Sequence, residues 1–443
     1  MSLILENYVE DWRTAYNQIE YVLKETDPTI VAQPRFKYLF QVKIGVTILA
    51  TLKVPPRNVT SLGRCDVQRI IETYLSKDLG TINTTATGES FTSCPSSVET
   101  FSIYFGYEYL IGSAVVQQIG LNFERWDDLG TIKTSESILA YNGSLPNERG
   151  NYLNFFDYQA TGYATTNYVN NSATKKFLTN IPNVTSTTKD KDNLDFELTD
   201  NGFMYFLNNT SETITAIKID TFDVTGTPIG FYEFTKGTVS ADGIEMQYIP
   251  IAPNSINNID PSLLVAGAQP VIDSTVSSYR VNLYESVAGV VSEIRFFNVV
   301  EADCRFEKVR LEFMNVFGGF DSFNFTKANR RMETIERKTY KQNSKNMSAT
   351  GRITYSQQDS EKVQYHTKST PKMKLTSNWV SEQKFNWLIE LMSSPEIYLH
   401  RDNKRVAVAK VSGNWEQKLN NADKLFNIEL EIEFSLDNYR QRS

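Results

Sequence analysis

The stretch VRLEFMNVFGGFDSFNF, residues 309–325, decides how this chain is read. It opens with Val309, Leu311 and Phe313 alternating against Arg310, Glu312 and Met314, the two-residue period of a strand. Gly318 and Gly319 break that period, and paired glycines supply the positive φ of a turn. Phe320, Phe323 and Phe325 then follow as an aromatic strand around Asp321 and Asn324. Beside the glycine turn, Asp321 is expected to hydrogen-bond its own backbone in an Asx-type turn rather than to protonate a substrate.

The rest of the composition points the same way. The chain carries 26 Phe and 23 Tyr with abundant Thr, Asn, Ser and Val, residues that fit pleated, half-buried surfaces. At 443 residues it exceeds what one hydrophobic core organises, so several domains are expected. Hydrophobic residues make up 40% and charged residues 22%, a globular balance that argues against wholesale disorder. Cys65, Cys94 and Cys304 are odd in number and far apart, which fits neither a disulfide framework nor a zinc site. The start, MSLILENYVEDW, lacks the basic region of a secretory signal, and the apolar run at residues 44–52 is too short to span a bilayer. A soluble protein made in the cytoplasm, with no membrane partner, is the expectation. Its N-x-[ST] triplets at Asn58, Asn142 and Asn183 then read as chance.

Four regions are expected along the chain. Residues 1–150 read as a β-rich, sandwich-like domain with one short helix. Within it Phe36, Tyr38, Phe40, Val42 and Ile44 alternate as a strand, and Pro55-Pro56 ends the next one. Val67, Ile70, Ile71 and Tyr74 have helical spacing, with Asp66 placed to cap. Residues 151–195 read as connecting loops. Residues 196–300 alternate in short strands punctuated by turns, which suggests a sandwich of immunoglobulin or fibronectin type. Residues 301–443 form an α+β domain. Its helix begins after Ser381, a cap, and carries Phe385, Leu388, Ile389 and Met392 on one stripe, with Trp387 and Leu391 nearly opposite. That second stripe either is buried too or meets another subunit. In the last strand Ile428, Leu430, Ile432 and Phe434 face one way, and Asn427, Glu429, Glu431 and Glu433 the other.

The net charge of −7 is unevenly shared, roughly +5 over residues 301–443 and −12 before them. Lys327, Arg330, Arg331, Arg337, Lys338, Lys341 and Lys345 concentrate the basic charge. Glu333 and Glu336 dilute it, so direct DNA binding is not the expectation. A solvated face, or a surface for the acidic part of a neighbouring copy, fits better.

Several motifs resemble, in the same order, virion structural proteins of tailed phages of Bacteroidetes-type hosts, including crAss-like podophages. They are the K-V-P-P turn at residues 53–56, the G-x-x-D-V-x-R-I-I-x-x-Y-L segment at 63–75, and the strand at 103–109. They continue with AYNGSLP at 140–146, FLTNIP at 177–182, RLEFMNVFGGFDSF at 310–323, WVSEQKFNWLIELMSSPEIY at 379–398, Trp415-Glu416, and IELEIEF at 428–434. The resemblance implies a structural subunit of tail, collar or baseplate that forms an oligomeric ring through contacts with its own copies and with neighbouring virion proteins. It also makes Gly318, Gly319, Asp321 and Phe323 a junction motif. Trp387, Leu391, Arg330, Arg331, Arg337 and Lys338 become the candidate subunit interface.

Chemistry finds little purchase in the sequence. His366 and His400 are the two histidines, and neither accompanies a nucleophile elbow, metal-ligand spacing or a phosphate loop. Both read as surface or strand-end residues, and no enzyme, cofactor or metal is expected. Two competing classes remain open. A carbohydrate- or receptor-binding tail protein would show an aromatic sugar-stacking platform; a glycan-degrading enzyme would show two carboxylates facing across a cleft.

Overall fold

The computed structural model describes residues 3–9, 12–57, 61–145, 147–148, 151–152, 176–208, 214–236, 245–285, 289–302, 305–343, 345–354, 358, 361–410 and 425–439. Cys304, most of the segment read as connecting loops, and the Trp415-Glu416 strand lie outside them. The protein is mainly β, 52% strand and 7% helix, with five separate sheets of three or more strands. It divides into two compact units, Met1–Val300 with Met314–Asp321, and Glu301–Phe313 with Ser322–Ser443.

In the first unit, one sheet runs Asp128–Lys133, Phe123–Arg125, Leu3–Asn7, Glu20–Glu25, Leu62–Asp66. A second runs Trp12–Thr14, Glu136–Tyr141, Val98–Ile111, Lys37–Ile44, Thr47–Val54, with Ala114–Ile119 also on Val98–Ile111. The two share one core. Leu5, Tyr21 and Phe123 from the first sheet join Phe40, Phe101 and Phe105 from the second, all fully buried. Phe105 meets the rings of Phe40 and Phe123 edge to face at 5.8 and 5.0 Å. Each such side chain contributes about 1.5–3 kcal/mol by leaving water, so the aromatic excess of the sequence becomes the stability of this core.

Two further sheets of three or more strands follow among the described residues of the unit. One runs Leu194–Phe196, Arg295–Val299, Ser278–Glu285, Ala216–Phe222, Pro228–Thr235, Leu264–Ala266. The other is Phe203–Asn208, Glu245–Pro250, Thr92-Ser93, so a piece of the N-terminal region pairs directly with a central strand.

The strand Thr47–Val54 stops before Pro55 as the sequence requires. The expected helix at residues 66–75 is shorter: only Gln68–Ile71 is helical, and Asp66 Oδ1 accepts from the Gln68 N–H at 2.9 Å. Val67, Ile71 and Leu75 are buried, but Tyr74 remains 49% exposed, off the expected stripe.

The second unit is built on an eight-stranded sheet. Its order is Phe320–Phe325, Val309–Met314, Ile397–Arg401, Lys404–Lys410, Glu429–Phe434, Lys362–Thr376, Arg330–Lys341, with Asn438-Tyr439 also on Lys362–Thr376. Leu430 and Ile432 are buried while Glu429 is exposed, following the alternation in the sequence. The helical segment is two short helices, Glu382–Trp387 and Ile389–Ser393, meeting at Leu388. Ser381 caps the first by accepting from the Lys384 N–H at 3.3 Å. The break at Leu388 turns Ile389 outward, 39% exposed, so it leaves the expected stripe while Phe385, Leu388 and Met392 remain buried.

Candidate functional site

The glycine turn is where separate stretches of sequence converge. Gly318 has φ +81°, the left-handed region that glycine enters without penalty. A Cβ there would lie 1.5 Å from the carbonyl oxygen of Asn142, so the position requires glycine for space as well as for conformation. Ser144 N–H donates to the Val316 carbonyl at 2.7 Å, fastening the NGSLP stretch to the turn. Gly319 lies against the Tyr205 ring, 2.9 Å from where its Cβ would stand.

Asn315 organises the turn. Its side-chain oxygen accepts from the N–H groups of Phe317 and Gly319 at 3.0 and 3.1 Å, and its amide donates to the Leu178 carbonyl at 2.9 Å. Asp321, the residue expected to hold the turn, accepts from Thr179 Oγ1 at 2.8 Å, across 142 residues of chain. Three of the stretches that carry the family resemblance, at 140–146, 177–182 and 310–323, therefore meet at one buried junction in the first unit.

Phe323, the fourth residue of the motif, belongs to the second unit. It packs against Phe325 at 5.2 Å and Trp387 at 6.1 Å, and Trp387 also stacks on Phe313 at 5.7 Å. Trp387 is 2% exposed and Leu391 0%. As members of the unit's own core, neither presents a surface to another chain; the interface expected of them is corrected by burial on both sides of the helical segment.

The strand Val309–Met314 carries a polar surprise. Arg310 and Glu312, on the face opposite Val309, Leu311 and Phe313, are 3% and 2% exposed. Arg310 donates to Asn324 Oδ1 at 2.8 Å and to Ser322 Oγ. Glu312 accepts from His400 Nε2 at 2.7 Å and from both Nε and Nη2 of Arg405, the latter at 2.9 Å. Burial alone would raise the Glu312 carboxyl; the hydrogen bonds and positive charge of His400 and Arg405 outweigh it and hold the carboxyl down at about 2. His400 is thus a partner in a buried ionic cluster rather than a surface strand-end residue. Its identity as a histidine gave no hint of this, because the partners lie on three different strands.

Arg330, Arg331, Arg337 and Lys338 do lie together, on the strand Arg330–Lys341. All twelve of its residues are exposed. It pairs along its length with Lys362–Thr376, from Arg330↔Lys374 to Lys341↔Lys362, and it ends the sheet order. Among the described residues no strand pairs with its other side. Met332, Ile335 and Tyr340 are exposed along it at 39%, 48% and 47%, between the basic residues. Arg331 pairs with Glu307 at 2.5 Å.

Two buried thiols take no part in these arrangements. Burial pushes Cys65 up to about 12 and raises Cys94 as well, so both stay protonated at neutral pH. Among the described residues no group of three or more His, Cys, Asp or Glu is placed to hold a metal ion. No family model matches this chain, and no curated protein matches it.

Proposed function

We propose that this protein is a structural subunit of a bacteriophage virion that forms an oligomeric ring in the tail, collar or baseplate, without enzymatic activity. The observation that carries the reading is the outer strand Arg330–Lys341. A twelve-residue edge exposed on both faces presents a row of backbone N–H and C=O groups, and such an edge is a template for pairing with another chain. Its alternation of cations with Met332, Ile335 and Tyr340 gives such a partner both charge and apolar area to read. The charge asymmetry of the sequence suits head-to-tail contact between copies.

At finer grain we assign residues 196–300 to an immunoglobulin- or fibronectin-like sandwich, the N-terminal region to a sandwich-like domain, and residues 301–443 to an α+β domain. Partners are copies of the same chain and adjoining virion proteins, and the site of action is the particle, assembled in the host cytoplasm. The test is the oligomeric state of the purified protein together with its detection in purified particles. A secreted monomer absent from every particle would sink the reading.

A further inference from the structure

We propose that the turn carrying Trp126, Asp127 and Asp128 of one copy docks into a recess at the base of the outer strand of a second copy. The inference rests on the self-association argued above and names the two surfaces that meet.

The recess lies in the second unit. Val309, Met373, Leu399 and Phe434 give it apolar walls, and its volume is about 160 Å³. A dry apolar cavity of roughly 150 Å³ takes a benzene-sized ring, so this recess has room for one aromatic side chain and not for a chain segment. Lys308, Arg331, Lys372 and Arg401 line it as well, with Glu307 against Arg331 and Asp402 against Arg401, which leaves the recess net basic. The occupant it suits is therefore an aromatic ring with carboxylates beside it.

The first unit exposes such a group. Trp126 is 56% exposed and is followed by Asp127 and Asp128, both exposed, then by Leu129 at 66%. Among the described residues the other exposed aromatics lack this combination: Trp379, at 63%, stands between Asn378 and Val380. The backbone of the turn is held in place. Trp126 N–H donates to the Leu5 carbonyl at 3.1 Å, Tyr8 donates to Asp127 at 2.7 Å, and the Arg125 guanidinium lies 3.9 Å over the Tyr8 ring. A turn whose backbone is already held in the free protein gives up little chain entropy on binding. Trp and Arg are also the residue types that most often dominate interface energy.

Every copy carries one turn and one recess, so the contact is heterologous and closes into a ring when the rotation between copies allows. The outer strand and the recess adjoin, since Arg331 and Met332 belong to both. One neighbour can thus engage the edge and the recess together.

The experiment measures self-association by sedimentation equilibrium, with thermal unfolding as the control for folding. Trp126→Ala should weaken association about thirtyfold or more, the size of a dominant interface residue. Asp127→Lys/Asp128→Lys alone and Lys308→Glu/Arg401→Glu alone should each lose association. An equimolar mixture of the two should regain it, because reversed turns then meet reversed recesses. Should a reversal variant fail to fold, Asp127→Asn/Asp128→Asn replaces it and should still weaken association. If every one of these variants associates as the wild type does while Ile335→Pro in the outer strand abolishes assembly, the docking inference falls and the ring reading stands. A wild-type chain that remains monomeric at all concentrations overturns both.

Discussion

Replacing Gly318 with alanine tests the junction most directly, because the structure separates two costs there. The first is conformational: an L-residue at φ +81° pays about 1–2 kcal/mol. The second is steric. The new Cβ would stand 1.5 Å from the Asn142 carbonyl oxygen, a backbone atom that cannot swing aside, so the turn or the NGSLP stretch must move. Forcing an extra methyl group into a packed site costs about 1–3 kcal/mol more. Gly318→Ala should therefore destabilise the first unit by about 2–5 kcal/mol, a fall in Tm of roughly 3–8 °C by calorimetry for a unit of this size. Gly112 isolates the first cost, since its φ is +63° and nothing lies within 4 Å of its would-be Cβ; Gly112→Ala should lose about 1–2 kcal/mol only. If Gly318→Ala is no worse than Gly112→Ala, the close approach to Asn142 does not exist in solution and the junction argument is refuted.

Glu312→Gln removes the anion beside Arg405 and should cost about 3–5 kcal/mol by leaving that guanidinium without its counter-charge, read by denaturant unfolding at pH 7. The carboxyl's folded value of about 2 lies below its ordinary 4.5, so its contribution is complete above about pH 4.5 and lost as pH falls toward 2; the variant should lack that part of the acid transition. Trp387→Ala should destabilise the second unit by about 3–5 kcal/mol, and a variant of unchanged stability that merely fails to assemble would show the side chain to be an interface residue after all. In a Cys304→Ser background, Cys65 and Cys94 should react with a thiol reagent only as the chain unfolds; fast reaction of the folded protein would contradict their burial.

Where a residue's environment follows from its immediate neighbours, the sequence was legible. Leu430 and Ile432 alternate with glutamates, and one face is buried as that period demands. Pro55 stops a strand because proline cannot donate, whatever surrounds it. The strand Arg330–Lys341 shows the opposite case: with no buried face it has no apolar period to detect, and its partner begins some twenty residues later, so it read as a run of charge. At the junction, the two glycines were legible as a turn, but the part Asn315 plays in it was not. Thr179 donates to Asp321 and Asn315 donates to the Leu178 carbonyl; both partners come from a stretch more than a hundred residues earlier. The burial of Arg310 and Glu312 was not legible for a related reason, since alternation distinguishes the two faces of a strand without saying that both are covered.

The segment Met314–Asp321 belongs to the first unit although residues of the second unit flank it on both sides. On the ribosome, then, residues 1–300 emerge with a vacancy opposite Asn142, Leu178 and Tyr205 that only the eight residues after Phe313 can fill. A truncation at residue 300, the boundary a gene fragment would naturally use, discards those eight residues. It would leave three buried stretches facing solvent, so an expression clone for the first unit must run through residue 321.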